Sequence, residues 1–197
     1  MSKSTTTLVD LPQIIVAKRH VDDRGWFSEI FHEKWLHERG ITCRFVQDNQ
    51  ANSKRAGTLR GLHFQLPPRA QAKLVTVVRG RIFDVAVDIR RGSPTFGKYV
   101  LLSAESGQQL YVPVGFAHGY LTLEDDVVLV YKVSDYYAPA YDSGICWSDP
   151  DIAIPWPLKE ADIITSDKDR RLPFLKEFAS QFEYDGHPLV PLVVPDT

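Results

Sequence analysis

Between Val75 and Ile89 the chain reads VTVVRGRIFDVAVDI. No other stretch limits the possible folds so sharply. Phe83, Val85, Val87 and Ile89 fall on one side of an extended chain, and Asp84, Ala86 and Asp88 fall on the other. That period of two belongs to a strand and not to a helix. Gly80 beside Arg79 supplies a turn signal, so the segment is expected to be a β-hairpin. The stretch LRGLHFQ (Leu59 to Gln65) reads as another strand, and more are expected at 14–18, 45–50, 99–103, 109–112, 118–123 and 127–133. The turn-rich stretches RRGSPTFG, AESGQ, PVG and EDD separate them. Many short strands at this spacing predict an all-β sandwich or barrel, with a jelly roll among the options. Helix is expected only at 28–39, where Ile30, Phe31, Trp35 and Leu36 have helical spacing and Gly40 is a stop, and at 169–182.

The chain has 197 residues, enough for one domain with a sizeable core. No repeat or linker divides it, so it is expected to be a single domain over 1–197. A polar extension covers 1–8 and a Pro-rich tail, HPLVPLVVPDT, covers 187–197 within a terminal segment from 186. The tail is expected to pack on the body as an extended arm. A net charge of −2 argues against a general nucleic-acid or membrane-surface binder, but leaves room for a small anionic ligand held by a few Arg and Lys. Cys43 and Cys146 lie far apart with no CxxC spacing, which fits a reducing, cytoplasmic setting. No run reaches transmembrane length, and the N-terminus lacks the apolar core of a signal peptide.

Chemistry-bearing residues cluster on the expected strands. His63 shares alternation with Leu59, Gly61 and Gln65. Arg60 then falls on the opposite face unless Gly61 introduces a bulge. Histidine titrates near neutrality and is a candidate base, although a strand histidine is more often structural. Lys73, on one face with Val75 and Val77, could stabilise a developing oxyanion. Tyr131 shares a face with Leu129 and Val127. It is either a core tyrosine with a bonded hydroxyl or a general acid or base. A metal centre is not expected, because a metal-binding barrel wants an inward HxH, and here the residue two after His63 is Gln65. His118 stands alone, and His32 and His37, five apart, do not face one ligand site. No GxSxG elbow and no glycine-rich phosphate loop occurs. Phosphate recognition would fall to dispersed cations, with Arg24, Arg60, Lys73 and Lys168 as candidates.

Eight motifs then converge: DDRGWFSE at 22–29, FVQDN at 45–49, LRGLHFQ at 59–65, AKLV at 72–75, FDVAVDIRRGSPTFG at 83–97, GFAHGY at 115–120, YKVSDYY at 131–137 and SDKD at 166–169. In this order and spacing the chain resembles the dTDP-4-dehydrorhamnose 3,5-epimerases, nucleotide-sugar enzymes on a cupin-type jelly roll. The resemblance implies a cupin-type jelly-roll sandwich with a few short helices, no cofactor, a dTDP-4-keto-6-deoxysugar as substrate and a homodimer that exchanges N-terminal segments. It implies that His63 is the base, Asp169 orients its imidazole, Tyr131 is the acid and Lys73 stabilises the enolate. It also implies that Arg24, Phe27, Glu29, Gln47, Asn49, Arg60, His118 and Lys168 hold nucleotide, diphosphate or sugar. Asp142 falls where relatives often carry glutamate, which puts that contact in question. A one-carbon epimerase, a ketoisomerase or a catalytically silent sugar-nucleotide binder would share much of this pattern. The four residues His63, Lys73, Tyr131 and Asp169 together argue against the silent binder.

Overall fold

The segment 75–89 is extended on both sides of Gly80, yet it is not a hairpin. The computed structural model describes residues 10–193. Its strands are β1 (Gln13–Val16), β2 (Arg19–Asp22), β3 (Gly25–Ser28), β4 (Gln47–Ser53), β5 (Leu59–Gln65), β6 (Lys73–Arg79), β7 (Arg81–Asp88), β8 (Tyr99–Glu105), β9 (Gln108–Val112), β10 (Phe116–Thr122), β11 (Val127–Val133) and β12 (Asp142–Gly144). One sheet runs β1-β9-β6-β11-β4 and the other β12-β5-β10-β7-β8, while β2 and β3 form a separate ribbon. β6 therefore belongs to the first sheet and β7 to the second. The neighbours of β6 are β9 and β11, and those of β7 are β10 and β8, so neither strand has a free row of backbone groups for the other. Gly80 turns the chain between sheets at φ +85, where a Cβ would also meet Val127 Cγ2 at 2.8 Å. The same switch recurs from β8 to β9 and from β10 to β11. This is the jelly-roll sandwich, reached through a corner where alternation alone suggested a hairpin.

Three apolar clusters fix the layers. Val75, Val77, Leu129, Ile82, Ala86 and Phe116 fill the space between the sheets. Val85, Val87 and Ile89, on the other face of β7, pack outward against Ile145, Trp147, Ile152, Ile154 and Phe182. The outer face of the first sheet, with Ile15, Leu74 and Tyr111, is covered by Leu36 and Ile41. Both faces of β7 are thus buried, and Ile82, Val85 and Val87 are each 0% exposed. Burial of each such side chain contributes about 1.5–3 kcal/mol.

The helices are shorter than the spacing predicts. α1 (Glu33–Glu38) begins only after His32, whose ring accepts from Trp35 N at 3.4 Å, because 25–28 is already committed to the β2–β3 ribbon. The expected helix at 169–182 is instead α2 (Asp167–Arg170), capped by Ser166, followed by a single 3-10 turn (Leu175–Glu177). Pro173 interrupts the apolar spacing, and no long helix is needed once Leu175 and Phe182 reach the outer cluster from irregular backbone. The tail packs as an extended arm. Leu189 and Leu192 lie against the inner cluster, Leu189 N donates to Thr95 Oγ1 at 2.9 Å, and buried Arg90 ties Asp88 to Asp185. The polar extension at 1–8 and the last four residues of the tail lie outside the described residues. Among the described residues no helix is long and apolar enough to cross a membrane.

Candidate active site

The two sheets enclose a cleft with two adjoining lobes of about 540 Å³ and 380 Å³. His63, Lys73, Tyr131 and Lys168 line both, so these four mark the centre. The first lobe continues to Arg60, His118 and Tyr120, with Ala51, Val75 and Ile164 as apolar wall. The second continues to Gln47, Asn49, Gln65, Tyr137 and Asp142.

β5 carries the bulge that the glycine allowed. Its register against β10 steps from His118↔His63 to Tyr120↔Arg60, so that Gly119 alone faces both Gly61 and Leu62. The extra residue turns both Arg60 and His63 to the cleft, while Leu59 joins Leu62 and Phe64 in the outer cluster instead of sharing the face of His63. Gly61, at φ +145, makes this possible, since a Cβ there would come 2.5 Å from Gly119 Cα. Arg60 reaches back to Ser53 Oγ (3.4 Å) and Asn52 O (3.3 Å) on β4.

His63 Nε2 lies 2.8 Å from Asp169 Oδ1, and Gly61 N donates to Asp169 Oδ2 at 3.3 Å. Burial pushes the Asp169 carboxyl up, but the hydrogen bonds from His63, Gly61 and Ser166 and the charge of His63 outweigh it and hold the group below the usual carboxylate range. Ionised Asp169 can only accept, so His63 Nε2–H donates, and in the tautomer this selects the lone pair lies on Nδ1. Lys73 Nζ donates to His63 O at 3.0 Å. Burial brings its pKa down to about 8, opposed by the charges of Asp142 and Asp84. On β11, next to the β6 strand of Lys73 and across the cleft from His63, burial pushes the Tyr131 hydroxyl up, against the pull of Arg60. Tyr131 therefore stays protonated at neutral pH, as a proton donor must.

The remaining expected residues divide into two groups. Gln47 and Asn49 line the second lobe, with Gln47 Nε2 donating to Asn49 Oδ1 at 2.8 Å. Asp142 also lines it, where its carboxylate accepts from Tyr137 Oη at 2.9 Å and from Lys168 Nζ. His118 faces the first lobe with Nε2 2.6 Å from Asp84 Oδ1. Arg24, Phe27 and Glu29 are not brought to this cleft. They lie exposed on or just after the β2–β3 ribbon, where Arg24 pairs with Asp22. Sequence reasoning also passed over Asp84, Gln65 and Tyr137. Asp84 carried a signal, as an acid at an inward position of an apolar strand. Tyr137 follows β11 in irregular backbone and carried none. Among the described residues no group of three or more His, Cys, Asp or Glu is gathered as a metal site.

Comparison with known proteins bears on this geometry. A family model described as dTDP-4-dehydrorhamnose 3,5-epimerase matches residues 6–177. The chain is 49% identical over 174 residues to the dTDP-4-dehydrorhamnose 3,5-epimerase of Sinorhizobium fredii, covering 87% of this chain and 89% of that protein. It is similar in structure to the Bacillus anthracis enzyme of that name with TDP and PPi bound, with TM-score 0.79 and 47% identity over 87% of this chain and 97% of the other. It is similar too to the Legionella pneumophila dTDP-6-deoxy-D-glucose-3,5-epimerase in complex with dTDP-4-keto-L-rhamnose, with TM-score 0.83 and 44% identity over 91% of this chain and 97% of the other.

Proposed function

The chain belongs to the dTDP-4-dehydrorhamnose 3,5-epimerase family and is an isomerase of that activity, and from that premise we propose how its residues carry the reaction. The substrate is a dTDP-4-keto-6-deoxysugar, whose ketone acidifies the C–H bonds on both neighbouring carbons. His63 Nδ1 takes one of these protons, the C–H electron pair becomes the C=C bond of an enolate while the carbonyl π pair moves onto oxygen, and Asp169 stabilises the imidazolium that results. The Lys73 ammonium faces the enolate oxygen. Tyr131 then returns a proton to the carbon from the other face, and solvent restores both groups before the second carbon reacts.

The observation that carries this reading is that His63 stands on β5 of one sheet and Tyr131 on β11 of the other, with both lining the same cleft. A sugar ring held between the sheets meets an acceptor on one face and a donor on the other, as inversion requires. The cations Arg60 and Lys168 serve the diphosphate. The second lobe, with the ring of Tyr137 and the amides of Gln47 and Asn49, takes the nucleoside. In a homodimer the β2–β3 ribbon of one protomer supplies Arg24, Phe27 and Glu29 to the cleft of its partner. The exposure of Val21 (78%), Trp26 (58%) and Phe27 (69%) on that ribbon supports this arrangement. We read the chain as one epimerase domain. Its cysteines are both free, which suits a cytoplasmic enzyme.

The test is proton NMR of dTDP-4-keto-6-deoxyglucose with the enzyme in deuterated water. Deuterium is expected at both carbons flanking the ketone. Deuterium at one carbon alone would replace this reading with that of a single-position epimerase.

A further inference from the structure

Gln65 follows His63 on the cleft side of β5, at the position where a metal-binding barrel would place a second histidine. The residue is only 3% exposed. Its amide makes no bond to the catalytic centre. Instead Nε2 donates to Arg69 O (2.6 Å) and Tyr136 O (3.2 Å), and Oε1 accepts from Ala138 N (2.7 Å). Gln47 Oε1 accepts from the amide between them, Tyr137 N, at 3.0 Å. Three consecutive residues are thus held by backbone bonds from within the cleft. The side chain they carry, Tyr137, is 55% exposed, and its hydroxyl is fastened at the far end to Asp142. A half-exposed tyrosine held at backbone and hydroxyl presents its ring face in one orientation.

We infer that Gln65 is a positioning residue for nucleotide binding, acting through Tyr137. The inference rests on the reading that the second lobe takes the nucleoside. Segment 136–138 is irregular backbone after β11, outside any ladder. Without Gln65 it must be ordered at the moment of binding, and that ordering opposes affinity. With Gln65 in place the order exists beforehand. The Gln65 amide is spent on the backbone of Arg69, Tyr136 and Ala138, so its loss acts on binding more than on proton transfer.

The test is a double-substitution cycle on the full chain, read by calorimetry with dTDP and by steady-state kinetics. Gln65→Met is expected to raise the dTDP dissociation constant about tenfold. KM should rise in step, and kcat should change less. In a Tyr137→Ala background the same substitution should add less than about twofold, because its route of action is already gone. Wild-type dTDP affinity in folded Gln65→Met, or full additivity with Tyr137→Ala, overturns the inference and leaves the nucleoside lobe standing. Wild-type affinity in Tyr137→Ala overturns the nucleoside lobe itself, and the inference with it. Should Gln65→Met fail to fold, Gln65→Glu keeps the acceptor for Ala138 N but sets a carboxylate oxygen against the carbonyls of Arg69 and Tyr136. A loss of at least the same size, again absent in the Tyr137→Ala background, is then expected, and unchanged affinity overturns the inference.

Discussion

Two histidine–aspartate pairs face the same cleft, and they are register partners: His63 on β5 stands opposite His118 on β10. Each donates a ring nitrogen to a carboxylate, at 2.8 Å for His63–Asp169 and 2.6 Å for His118–Asp84. By their hydrogen bonds alone they look equivalent. They differ in access and in the origin of the carboxylate. The His63 side chain is 30% exposed, at the centre shared by both lobes. The His118 side chain is 8% exposed and its aspartate 1%. Asp169 arrives on α2, far along the chain, whereas Asp84 sits on β7, the strand next to His118. An imidazole that must take a proton from carbon needs an open lone pair and a carboxylate behind it. One that is closed in beside its carboxylate has little room to do more than hold a ligand. In the reaction proposed above, the His63 pair fits the proton transfer and the His118 pair fits ligand holding.

The sharpest way to break this comparison is to remove each histidine in turn. His63→Ala should abolish exchange of substrate protons with solvent, a loss of about 10²–10⁴-fold. His118→Ala should weaken binding while exchange continues. Near wild-type exchange in folded His63→Ala, read by NMR in deuterated water, would refute the base role of His63.

Tyr131→Phe comes next. It keeps the packing and removes the donor opposite His63, so inverted product should fall by about 10²-fold or more while solvent exchange persists. Equal loss of both would make Tyr131 a positioning group.

Arg60→Ala probes the end of the cleft nearer His118. It should raise the dTDP dissociation constant about tenfold, the loss expected for a charge-assisted hydrogen bond. Unchanged affinity in calorimetry would move the diphosphate away from that end.

The smallest effect expected is on the pH profile. Lys73 titrates at about 8, so kcat should fall as pH rises through that value and the ammonium becomes a neutral amine. Tyr131, pushed up from its ordinary value near 10, keeps its proton through that limb. The limb should therefore persist in His118→Ala and vanish from the residual activity of Lys73→Met.

The sequence showed one side of this comparison better than the other. Strict alternation put Lys73 with Val75 and Val77, and Tyr131 with Leu129 and Val127, on the inner face, as the structure has them. The face of Arg60 depended on Gly61. A glycine inside a strand permits a bulge without requiring it, and what decides is the approach of Gly119 from β10, which is a tertiary contact. The corner at Gly80 was misread for a related reason. A strand leaving one sheet for another alternates just as a strand in a hairpin does, so the partner is invisible locally. The β2–β3 ribbon was missed because its exposed Trp26 and Phe27 fit no half-buried pattern. Asp169 was found through its motif and not through the helix expected to carry it, since α2 is one turn fixed by its Ser166 cap.

The corner at Gly80 also governs how the molecule comes to be folded. Because the chain changes sheets at β6–β7, β8–β9 and β10–β11, strands adjacent in sequence seldom pair, and the ladders join distant stretches such as Tyr131 to Val75 and Leu74 to Tyr111. Such a chain gains little from local contacts and must close long loops before they are rewarded, so it belongs among slow folders, on the order of milliseconds to seconds. Neither sheet can be completed before much of the other is in place. The cleft thus has no half-built form: His63 and Tyr131, on strands of different sheets, come to face one another in the same cooperative event.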